Sequence, residues 1–171
     1  LPNVVFVLIS CSTLYVLIYN ILHFNPILGY DAEAHHRYVD YFSRYLPKEI
    51  RLPTKSDTRE FFNPPIGYLV PSVAQVFCRN IIESSNLLAE CQPIYGKVTQ
   101  IFQSLMYIAT IIINLYTLKL INKSNTFIDA GYLILISLLA VNYRTLSMIR
   151  GEPYILFFLS IFLLIIYKAE H

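Results

Sequence analysis

The chain has 171 residues, 56% of them hydrophobic and 14% charged, and a formal net charge of +2. With a mean hydropathy of +0.52, this excludes a soluble domain and describes an integral membrane protein. The charge is too small, and too concentrated in particular segments, for nucleic-acid binding.

Val4 to Phe24 carries no Asp, Glu, Lys or Arg and matches the ~20 residues that cross a ~30 Å hydrocarbon core. A signal peptide is the competing explanation, but the block lacks a basic flank and is longer than an h-region. Residues 29–42 then read GYDAEAHHRYVDYF. His35, Tyr38, Tyr41, Phe42 and Tyr45 recur at steps of three and four, with Arg37, Asp40 and Arg44 opposite. That spacing predicts a helix lying at the membrane interface, where Tyr38, Tyr41 and Tyr45 would set the depth with their hydroxyls in water. Leu46-Pro47 ends it, because the residue before proline avoids the helical region.

The following KEIRLPTKSDTREFFN is charged and turn-rich, and is expected to be a mobile loop. A second interfacial helix is expected from Pro64-Pro65 through Ile66, Leu69, Val70, Val73 and Phe77, kinked at Pro71. Val98–Ile121 reads as a second span with Lys119 able to snorkel near its end, Phe127–Leu146 as a third, and Pro153–Tyr167 as a short fourth. The expected fold is an all-α multi-pass membrane protein: about four transmembrane helices, plus two interfacial helices in a long first loop over residues 25–97. Because the chain opens on Leu1 and stays apolar almost to His171, it is expected to be the amino-terminal part of a longer protein, one domain over residues 1–171.

Lys119, Lys123 and Lys168 mark two cytoplasmic ends by the positive-inside rule, which puts loop 25–97 on the external or lumenal side. The sequon at Asn122 is then cytoplasmic and should stay unmodified. Cys78 and Cys91 share the oxidising side and are able to pair, although their separation fixes no geometry; Cys11 lies within the first span. The 14 Tyr and 11 Phe fit interfacial belts and packing.

Asp31 falls where the first span reaches water, and His35 is one helical turn later. As a helix N-cap, the Asp31 carboxylate would accept from free backbone N–H groups. Asp31, Glu33, His35 and His36 are also metal-ligand types, but helical spacing cannot bring all four to one ion, so no metal ligands are assigned.

The order of motifs resembles a known family. A span is followed by YDAEAHHRYVDYF, LP at 52–53, EFFNPPIGYLV at 60–70, two spans, and IRGEPYILFFLSIFLLIIYK at 149–168. This is similar to the amino-terminal part of C-type (GT-C) glycosyltransferases that use polyprenyl-phosphate sugars, the superfamily of protein O-mannosyltransferases and lipid A aminoarabinose transferases. Asp31, His35, Tyr38 and Tyr41 fall on the spacing of that family's first-loop motif, Pro64 and Pro65 on its proline turn, and Arg150 and Glu152 on its Arg-x-Glu. Two departures stand out: Ala32 replaces the second carboxylate of the acidic pair, with Glu33 one place late, and Asn63 replaces the histidine before the prolines.

The resemblance implies an inverting membrane glycosyltransferase that moves a hexosyl or pentosyl group from a polyprenyl-phosphate lipid to a lipid, glycan or protein acceptor. Asp31 would be its general base. Arg suits the departing phosphate because its fork matches phosphate oxygens, with Arg150 the first candidate and Arg37, Arg59 and Lys55 weaker ones. Glu33, His35, Tyr38 and Glu152 would position donor or acceptor. An ion pair with Glu152 is the structural alternative for Arg150. No particular cofactor is assigned, and a divalent metal is left open. The alternative function is a non-catalytic membrane subunit that uses the same helices for docking.

Overall fold

Away from water the backbone must satisfy its own N–H and C=O groups, and the chain does this with helices. The computed structural model describes residues 2–25, 29, 31–85, 90–122, 126–138, 146 and 148–170. Its helices are α1 (Pro2–Leu22), α2 (Ala32–Tyr45), α3 (Ile66–Ser85), α4 (Cys91–Asn122), α5 (Thr126–Leu138) and α6 (Glu152–Glu170). Three of them, α1, α4 and α6, are long and apolar enough to cross a membrane.

The second and fourth apolar blocks are longer than their hydropathy alone suggests. α4 starts at Cys91, ahead of Val98, with Pro93 in its first turn where a missing N–H costs nothing. α6 runs from Glu152 to Glu170, 19 residues, so the expected short span reaches full length. In the third block the helix is Thr126–Leu138, 13 residues, and positions 139–145 lie outside the described residues. Lys123 lies outside them too.

α4 is the central element, packed against α1, α3, α5 and α6. Gln103 of α4 donates to the Arg150 carbonyl ahead of α6, and the Tyr167 hydroxyl of α6 donates to the Leu120 carbonyl of α4, so these two helices run parallel. α5 runs back antiparallel to α4, with Tyr132 opposite Asn114 and Ile136 opposite Tyr107. Thr13 of α1 bonds Ser137 of α5. The result is two ends. One carries Lys119 and Lys168, and the other carries the α1 exit, α2, α3 and the start of α6.

α2 is rotated relative to the expected interfacial helix. Its buried face is His35, His36, Tyr38, Val39, Phe42 and Ser43, while Tyr41 and Tyr45 are half-buried, with ring centroids 4.9 Å apart and planes tilted by 45°. Tyr38 is fully buried and sets no depth in water. The reason is a partner on α3: the Tyr38 and Tyr68 rings lie parallel with centroids 3.7 Å apart. Asp40, expected to face outward, is turned toward α3, where it accepts from Gln75 and pairs with Arg79 at 3.2 Å.

α3 shows the inverse of a soluble amphipathic helix. Ile66, Leu69, Val73, Phe77 and Ile81 point outward, while Tyr68, Ser72, Gln75 and Cys78 point in. Apolar-out with polar-in suits a helix touching lipid. Pro71 is buried inside α3 and cannot donate to the Gly67 carbonyl. Cys78 and Cys91 form a disulfide that joins α3 to the start of α4. The segment between α2 and α3 is tied down rather than loose: the Thr58 hydroxyl donates to the Ala34 carbonyl at 2.7 Å, and Thr54 N–H donates to Asp57 at 2.7 Å.

Candidate functional site

Three chain segments meet at the end away from Lys119 and Lys168, and Gly67 lets two of them approach. A Cβ on Gly67 would come within 2.7 Å of the Gly151 Cα, so the Pro64-Pro65 turn sits directly on the Arg150–Gly151 backbone. Gln103 holds that backbone from α4 by donating to the Arg150 carbonyl at 2.7 Å. Asp31 closes the third side from the start of α2. Its carbonyl accepts the His35 N–H at 3.1 Å, and its carboxylate makes no cap bond. The N-cap explanation of the Asp31 side chain therefore fails, and the carboxylate is left facing the space between the segments.

That space is a cleft of about 380 Å³. Its polar lining is Asp31, Glu60, Asn63, Arg150 and Glu152, and its apolar rim is Phe62, Pro64 and Ile155. Arg150 and Glu152 are 3.6 Å apart, a long, partly exposed ion pair, so the structural alternative for Arg150 is present in weak form. The Arg150 Nε is buried without a partner among the described residues.

The three arginines expected to share a phosphate do not converge. Arg37 and Arg59 line a separate concavity of about 130 Å³ with Glu33 and Ala34. Asp31 alone belongs to both concavities. Arg37 pairs with Glu33 at 2.5 Å on the exposed face of α2, so Arg37 and Glu33 serve each other before any ligand. The helix explains this split. Arg37 is six residues from Asp31, more than a turn and a half, and it lies on the exposed side of α2, away from the buried face that packs on α3. Lys55 lines neither concavity.

Behind the cleft the packing is aromatic and polar at once. His35, 3% exposed, holds its Nδ1 2.6 Å from the Tyr68 hydroxyl, and His36 holds its Nδ1 2.7 Å from that of Tyr95. Asn63 Nδ2 donates to Glu60 at 2.5 Å and to the Tyr68 oxygen at 3.0 Å. Burial is the main reason that the His35 pKa falls to about 4; the Arg150 charge adds to the fall and Asp31 opposes it. His35 is thus neutral at physiological pH. Burial also pushes the Tyr38 and Tyr68 hydroxyls up, so neither is a base.

Of the residues singled out from the sequence, Asp31, Arg150 and Glu152 share the cleft, His35 and Tyr38 lie buried behind it, and Glu33, Arg37 and Arg59 face the second concavity. Among the described residues no three His, Cys, Asp or Glu side chains gather as metal ligands. Glu60, Tyr68 and Gln103 escape sequence reasoning. EFFNPP did carry a signal, since Glu60 and Asn63 bracket two aromatics just before a helix start. Comparison with known protein families, curated proteins and solved structures finds no match.

Proposed function

We propose that this chain is part of an inverting membrane glycosyltransferase that moves a sugar from a polyprenyl-phosphate-linked lipid to an acceptor on the external or lumenal side, with Asp31 as general base. One observation carries this most directly: Asp31 and Arg150, remote in sequence, line the same cleft. The acceptor hydroxyl gives its proton to Asp31 as its oxygen bonds the anomeric carbon. The bond from that carbon to the phosphate oxygen breaks, and the polyprenyl phosphate departs against Arg150. The apolar rim of Phe62, Pro64 and Ile155 suits the first carbons of a lipid. The Cys78–Cys91 disulfide fits an oxidising compartment on that side of the membrane. Arg37 and Arg59 are reassigned from the donor phosphate to the far side of Asp31, where they join Glu33 and where an acceptor would approach.

The test is Asp31→Asn in the full-length protein in nanodiscs, following transfer from a polyprenyl-phosphate sugar. The rate should fall by roughly 10²–10⁴, the usual worth of a general base. Stability should barely change, because the carboxylate makes no cap bond. Retained transfer by a folded variant would remove Asp31 from the chemistry. Absence of transfer from every polyprenyl donor by the unmodified protein would favour the docking subunit.

A further inference from the structure

Glu60 begins a chain of hydrogen bonds whose directions follow from atom types. Asn63 Nδ2 lies 2.5 Å from Glu60 Oε2 and 3.0 Å from the Tyr68 hydroxyl, which lies 2.6 Å from His35 Nδ1. A carboxylate only accepts, so the amide turns its NH₂ toward Glu60; the reverse orientation would set oxygen against oxygen. The second hydrogen of that NH₂ goes to the Tyr68 oxygen. Tyr68 then gives its own hydrogen to His35 Nδ1, which is therefore unprotonated. His35 is neutral, so its single ring hydrogen sits on Nε2. That Nε2 is buried and has no partner among the described residues. The charged and titratable groups acting on the ring are Asp31 and His36 from the same helix end and Arg150 from the segment before α6.

We propose that Glu60, acting through Asn63 and Tyr68, holds His35 as its Nε2–H tautomer, so that the buried ring behind the cleft is not a second base beside Asp31. Glu60, Asn63 and Tyr68 are positioning residues. A histidine whose Nδ1 is already occupied cannot accept the acceptor's proton, which leaves Asp31 as the base. The inference deepens the transferase reading and rests on it only for Asp31 as the base; the tautomer stands on the hydrogen-bond directions.

The experiment is ¹⁵N NMR of the full-length, histidine-labelled protein in nanodiscs at neutral pH, where long-range correlations separate the two tautomers. The chain has four histidines, and His35→Gln assigns the one in question. The expected result is a protonated Nε2 and a bare Nδ1. Asn63→Asp should invert it. The oxygen that takes the place of Nδ2 carries at most one hydrogen, which the Glu60 carboxylate draws, so a lone pair faces Tyr68. Tyr68 then donates toward position 63, and His35 must donate from Nδ1.

Glu60→Gln, whose carboxamide can present either face, should give a mixture with the Nδ1–H form raised several-fold. His36, held separately by Tyr95, reports that each variant is folded. A dominant Nδ1–H form in the unmodified protein would overturn the proposal, and so would an unchanged Nε2–H form in folded Asn63→Asp. If Asn63→Asp does not fold, an unchanged tautomer in Glu60→Gln overturns it alone. None of these spectra depends on sugar transfer, so failure of the Asp31→Asn test and failure of this one are distinguishable.

Discussion

The two buried clusters of the molecule are built on opposite principles. Where α1, α4 and α5 meet, the core is Leu17, Tyr107, Ile111, Leu133 and Leu146, and its polar groups close on one another: Thr13 with Ser137, Tyr107 with the Ile136 carbonyl, Asn114 with Tyr132. At the other end the core is Tyr38, Val39, Phe42, Tyr68, Tyr95 and Ile149, mixed with His35, His36, Ser72 and Gln75. Among the described residues, the buried side-chain atoms left without a partner, on His35, Gln75, Gln100, Gln103, Arg150 and Tyr154, belong to this second end. Lipid supplies no partners, so open polar groups are costly there and mark a region built for something other than packing. The closed cluster holds the scaffold, and the open one lies against the candidate site.

If that division is right, damage to one cluster should leave the other intact. The largest stability effect is expected from removing the Cys78–Cys91 bond, which staples the open end. With a sequence separation of 13, the double change Cys78→Ser and Cys91→Ser should cost about 3 kcal/mol by the loop-entropy estimate. Thermal unfolding in detergent with and without reductant checks this. An unmodified protein indifferent to reductant would show the staple to be unimportant.

Leu133→Ala comes next, in the closed cluster. It should cost about 2 kcal/mol, the low end for a buried leucine, because surrounding lipid is as apolar as the core and chiefly packing is lost. Transfer activity and the His35 tautomer should both survive it. Loss of either at a temperature where the protein is folded would dissolve the distinction between the clusters.

Arg150→Lys probes the open end at about half that energy. A point charge replaces a planar fork, so kcat/KM for a polyprenyl-phosphate sugar should fall roughly tenfold while folding is unchanged. Equal rates would return Arg150 to its long ion pair with Glu152.

How legible each cluster was in the sequence follows from the same contrast. α1 and the cores of α4 and α6 could be read directly because lipid selects for hydropathy, and hydropathy is a one-dimensional signal. The ends of α4 and α6 could not, since polar residues such as Gln92, Lys97 and Glu152 interrupt the apolar run. Asp31 and Arg150 were visible as residues, and their shared cleft was consistent with the order of motifs. The rotation of α2 was hidden because tyrosine is equally suited to an interface and to a stack, and only Tyr68 on α3 decides between them for Tyr38. The separation of Arg37 and Arg59 from Arg150 depends on which side of α2 packs on α3 and on the approach of Gly67 in α3 to Gly151, both invisible to periodicity.

The smallest predicted effect is also the sharpest comparison inside the open cluster, between two tyrosines stacked on each other. Tyr38 and Tyr68 have centroids 3.7 Å apart and planes within 8° of parallel, yet their hydroxyls do different work. The Tyr38 hydroxyl reaches the Asn63 carbonyl at 3.3 Å, beyond the usual range for such a bond, so it contributes little. Tyr38→Phe keeps the stack and should cost under about 1 kcal/mol, with the His35 tautomer unchanged. Tyr68→Phe also keeps the ring but deletes the one atom that accepts from Asn63 and donates to His35. It leaves the buried His35 Nδ1 unpaired, while Asn63 keeps its bond to Glu60, and it should therefore be the more destabilising of the pair and release the tautomer. Unfolding of both variants in parallel, with the histidine spectra recorded on the same samples, makes the comparison. If Tyr38→Phe proves as costly as Tyr68→Phe, the aromatic stack rather than the hydroxyl chain organises this end of the molecule.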